Sequence, residues 1–145
     1  MAQSARDIGS ELDFGLSIQD ETWDGAANNE GDGVNFFPDG EQGFLSGVAV
    51  VQTMDGDSAD EVVFFVEQSD DDDDDDPYTP LEDRNGDRFE VQVDGASGMG
   101  RIDITMAQFS GYLRVVADED ASTVDTNIDL NALLVLGGAT VVPVE

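Results

Sequence analysis

Ile128, Leu130, Ala132, Leu134 and Leu136 stand at every second position of one continuous segment. A period of two marks an extended strand with one face turned to a core. The same period recurs elsewhere. Leu12, Phe14, Leu16 and Ile18 alternate with Asp13, Gly15 and Ser17, and Phe89, Val91 and Val93 alternate, as do Ile102, Ile104 and Met106. Segment 44–54 carries Val48, Val50 and Val51, segment 112–117 reads as another strand, and 62–66 is apolar throughout, as suits a strand buried on both faces. Segment 141–144 reads as a short final strand. No amphipathic helix of useful length is present.

The expected fold is therefore all-β, an antiparallel two-sheet sandwich of about eight strands, jelly-roll-like. Turn signals at Asp55-Gly56-Asp57, Asn85-Gly86 and Gly95–Gly100 separate the strands. On this reading 44–67 is a long hairpin. Residues 1–10 form a loose arm and residues 11–145 a single domain with two long loops, 19–43 and 68–87. The second loop holds seven consecutive aspartates, Asp70 to Asp76, and then Pro77 and Pro80. Adjacent charges stay in solvent, and the prolines argue against any ladder there.

Composition narrows the chemistry. Against 34 Asp and Glu stand five Arg, with no Lys, His or Cys, and the net charge is -29. Imidazole or thiolate zinc sites, Cys nucleophiles, Ser-His-Asp triads and Schiff-base lysines are excluded. Nucleic acid and anionic membranes are repelled by such a field. Molar salt shortens the Debye length to about 3 Å, so like charges on one surface hardly interact. Loss of every Lys with a few retained Arg fits a protein of a salt-loving organism or of its virus. Segment 132–144 is too short and too broken by Gly and Pro to span a membrane. The first residues lack a basic stretch followed by an apolar one, so neither secretion nor membrane insertion is expected.

Asp83, Asn85 and Asp87 place oxygen ligands at alternate positions on a tight turn, as at the start of a calcium loop. They are the candidate metal ligands, for Ca or Mg. Arg88 stands where such a loop needs Gly, and Asp94 where it needs a bidentate Glu. An Asn-Gly hairpin turn accounts for the segment equally well. The aspartate run offers loose cation attraction at most. Carboxylate pairs for glycoside hydrolysis arise by chance among so many acids, no Asp-Thr-Gly or Asp-Ser-Gly triplet is present, and no enzymatic activity or catalytic residue is expected. Trp23, Phe36, Phe37 and Phe44 either plug an end of the sandwich or anchor a partner. Arg114 should meet a carboxylate on a neighbouring strand, and Arg84 and Arg88 should serve as local counter-charges.

Three segments resemble small capsid-decorating or minor capsid proteins of tailed viruses. They are the Leu12-Asp13-Phe14-Gly15 opening, the 44–67 region closing on Val66-Glu67-Gln68-Ser69-Asp70-Asp71, and Gly111-Tyr112-Leu113-Arg114-Val115-Val116 followed by an acidic turn and the 128–136 strand. The seven-Asp tract and 77–80 lie outside that pattern. The resemblance implies a virion protein of a tailed virus of a halophilic host, made in the host cytoplasm. It implies an oligomer, a trimer or pentamer, seated on the outer face of the major capsid protein lattice. Two other readings stand beside it. One is a calcium-dependent carbohydrate-binding sandwich with Trp23 and Tyr78 as sugar platforms and Asp83/Asp87 at the metal. The other is a turret, spike or tail-associated virion protein.

Overall fold

The computed structural model describes residues 12–36, 42–70, 77–125 and 127–140. The 1–10 arm, Phe37, most of the aspartate run and 141–144 lie outside them. The described chain is all-β. Its strands are β1 (Leu12–Trp23), β2 (Asn29–Glu30), β3 (Val34–Asn35), β4 (Gln42–Met54), β5 (Glu61–Ser69), β6 (Thr79–Pro80), β7 (Glu90–Asp94), β8 (Gly98–Ser110), β9 (Tyr112–Ala117) and β10 (Ile128–Thr140). Every pairing is antiparallel. Among the described residues no helix is long and apolar enough to cross a membrane.

Two sheets face each other. One runs β1-β10-β4-β8, and the other runs β2-β9-β5-β6, with β3 beside β2 on β9 and β7 beside β6 on β5. Ten segments stand where about eight strands were expected: β2, β3 and β6 are additional, 141–144 lies outside the described residues, and two edge strands are interrupted. β2 and β3 lie in line along β9, and β6 and β7 lie in line along the free side of β5. Joining each pair restores a sandwich of two four-stranded sheets. The chain changes sheet at every link except the one from β5 to β6, which is the wrapping path of a jelly roll.

Three expectations are corrected. Segment 44–67 is not a hairpin: β4 pairs with β10 and β8, while β5 pairs with β9, β6 and β7 in the other sheet. Alternation says which face of a strand is buried, but not which strand lies beside it. The 55–60 link instead crosses the end of the sandwich, with Asp55 at φ 60°. There the buried Asp60 carboxylate accepts the N–H groups of Asp57 at 2.8 Å and Asp125 at 2.9 Å. Second, the 19–43 loop is shorter than expected, because β1 continues to Trp23 and β2 and β3 follow. Third, the 68–87 loop contains a ladder: Thr79 and Pro80 pair with Gln68 and Glu67. Proline is tolerated there because β6 is an edge.

The core between the sheets is built from the predicted alternating positions. Ile128, Leu130, Ala132, Leu134 and Leu136 of β10 meet Val62, Phe64 and Val66 of β5 and Leu113, Val115 and Ala117 of β9 in one buried cluster. Trp23 and Phe36 belong to this cluster, so these loop aromatics plug the sandwich. At about 25 cal/mol per Å² of apolar surface removed from water, this burial is the main source of stability. One polar staple crosses it. The buried Ser17 hydroxyl of β1 donates to the Asp32 carbonyl at 2.9 Å and accepts the Val115 N–H of β9 at 2.8 Å. Gly31 makes this approach feasible: a Cβ there would come within 2.7 Å of the Ser17 and Val115 carbonyl oxygens.

Candidate docking face

The outer faces of the two sheets differ in chemistry. On the β9/β5 side, Arg114 and Arg88 are held by acids. Arg114 lies opposite Glu67 in the β9·β5 register and donates to its carboxylate at 2.7 and 2.9 Å, with Glu30 at 3.5 Å. Its guanidinium stacks over Tyr78, 3.9 Å from the ring centroid. This is the cross-strand carboxylate expected for Arg114.

Arg88 bridges Glu90 and Asp118, each at 2.7 Å, and covers the Phe65 ring at 4.3 Å. Burial by itself would raise the Asp118 carboxyl. Hydrogen bonds from Arg88 and from the backbone N–H groups of Asp120 and Ala121 outweigh it and hold the group below the usual carboxylate range. Burial likewise opposes the charge on Arg88, but its two acidic partners prevail and raise its pKa. Phe65, under Arg88, and Val63 are on the non-core side of β5 and are buried as well, which explains why 62–66 is apolar throughout.

The outer face of the β1-β10-β4-β8 sheet is different. Register aligns its side chains in rows: Phe14, Val135, Val48 and Asp103 form one, and Leu16, Leu133, Val50 and Arg101 the next. Phe14 is 59% exposed, Leu16 52% and Met99 70%, and the valines and Leu133 are half-buried. Val50, Met99, Gly100 and Arg101 line a shallow depression of about 340 Å³. Across the middle of this face, charge enters only with Arg101 and Asp103 on the edge strand. A contiguous apolar surface is unusual on a chain of net charge -29, which makes this face the candidate site.

Sequence reasoning placed Phe14 and Leu16 with Ile18 on one half-buried face. A β-bulge separates them: Leu16 pairs with Leu133, but Ile18 pairs with Ala132, the next position on β10. The extra residue on β1 reverses the phase, so Ile18 points inward while Phe14 and Leu16 point out. One signal was legible. Segment 132–136 is apolar at every position, so β10 carries apolar residues on both faces.

The candidate metal ligands lie on the turn between β6 and β7, at the edge of the other sheet and beside Thr105 of β8. Asp83 Oδ1 accepts the backbone N–H groups of Asn85 at 2.8 Å and Asp87 at 3.0 Å, and the Asp83 carbonyl accepts the Gly86 N–H at 3.1 Å. The Asp83 carboxylate thus closes the turn in which Gly86 has φ 84°. With Arg84, Asn85 and Thr105 it lines an open depression of about 320 Å³. Among the described residues no three acidic side chains gather as a potential metal cage. Comparison with family models, curated proteins and solved structures found no match.

Proposed function

We propose that the chain is a structural virion protein, a capsid decoration or minor capsid protein seated on the major capsid protein lattice. The observation that carries this reading is the asymmetry of the sandwich. An apolar, charge-poor sheet face suits a broad protein surface, and the opposite, acid-clad sheet suits solvent at high salt. A chain without His, Lys or Cys has few groups for acid-base or nucleophilic work, which favours a structural role over catalysis.

The test is binding of the purified protein to capsids stripped of it. Wild type should bind at a fixed ratio to the major capsid protein, and a Phe14→Asp/Leu16→Asp variant should bind at least about tenfold more weakly with an unchanged circular dichroism spectrum. Absence from purified particles, or undiminished binding of the variant, overturns the reading. A low copy number per particle would move the protein to a turret, spike or tail position.

Two observations weigh against the glycan-binding alternative. Trp23 is 4% exposed, with Nε1 donating to the Ala27 carbonyl, and one face of Tyr78 is covered by Arg114.

A further inference from the structure

Sheet edges carry unpaired backbone groups and invite another strand unless they are protected. Three of the four edges here are broken. β1 has two register shifts, the β2/β3 edge is interrupted at 31–33, and the β6/β7 edge is interrupted at 81–89 and carries Pro80. β8 differs. Its only register shift lies beyond Ile104, so Gly98 to Ile104 run straight along β4, without Pro or Lys. No strand among the described residues pairs with its outer side.

The side chains on that edge are self-complementary. Arg101 and Asp103 are 72% and 60% exposed and meet within the chain through a 3.4 Å contact. An antiparallel copy of β8 with its two-fold axis at Ile102 sets Arg101 directly opposite Asp103 of the copy, and Asp103 opposite Arg101. Opposite charges at directly facing positions stabilise an antiparallel pair, whereas like charges there destabilise it. A two-fold contact requires this reciprocity.

We propose that a second copy of this chain docks on the β8 edge, joining the two four-stranded sheets into one continuous sheet through residues 98–104. The reciprocal Arg101–Asp103 pairs select the copy and set the register. The joined sheets then present two apolar faces side by side.

Because the chain has no cysteine, register-specific cross-linking is free of background. Arg101→Cys and Asp103→Cys are prepared separately, checked by circular dichroism, and oxidised at 3 M salt alone and as an equal mixture. In the proposed register, residues 101 and 103 face each other across the joint. Two copies of residue 101, or two of residue 103, are diagonal and about 7–8 Å apart, beyond disulfide reach. The expected result is a covalent dimer in the mixture that is lost in either variant alone. Light scattering of the unaltered chain should give twice 15.5 kDa. A monomer at every concentration overturns the proposal. A dimer without mixed cross-links, or with single variants linking equally well, also overturns it.

Discussion

The Ser17 hydroxyl and the Asp118 carboxylate each hold together segments distant in sequence. Removing the hydroxyl in Ser17→Ala leaves the buried Val115 N–H without its acceptor. The expected cost is about 1–3 kcal/mol. It should appear as a lower denaturant midpoint at constant slope. Asp118 gives a pH signature. Its folded pKa lies below its unfolded one, so its stabilising contribution is complete above the ordinary carboxylate range and is lost as pH falls through the folded value. Asp118→Asn should be about 1–3 kcal/mol less stable at pH 7. Its denaturation midpoint should converge with that of wild type in acid, and curves that stay parallel to low pH would contradict this assignment.

Strand behaviour follows from position within the sheets. β5 and β9 are each paired on both sides and buried on both faces over much of their length, whereas β2, β3 and β6 are two-residue edge segments. Hydrogen exchange should therefore be slowest at Phe64, Val66 and Val115 and faster by orders of magnitude at the edges. Phe64→Ala, which empties the centre of the core, should cost about 3–5 kcal/mol. At this scale most strands were legible: β9 was expected at 112–117 and lies at Tyr112–Ala117. The two-residue edge strands were not legible, because so short a segment has no periodicity. Their pairing depends on where β9 and β5 happen to lie.

For the whole molecule, charge governs how stability responds to solvent. Below about 0.5 M salt the screening length exceeds roughly 4 Å, and carboxylates that coexist at molar salt begin to repel. Circular dichroism during dialysis should show a falling melting temperature and then loss of the strand signal. An unchanged melting temperature in dilute buffer would count against a high-salt habitat. The sequence by itself determined the class of fold, the core positions of β10 and β5, and the exclusion of imidazole and thiol chemistry, because periodicity and composition are local properties of a chain. Tertiary structure alone decided that β4 and β5 lie in different sheets, that Trp23 is buried, and that Phe14 and Leu16 face outward. Each of these depends on a partner strand far away in sequence, and the last on one extra residue at a bulge. The apolar face and the β8 edge, which no strand among the described residues pairs, became visible only when distant strands were set side by side.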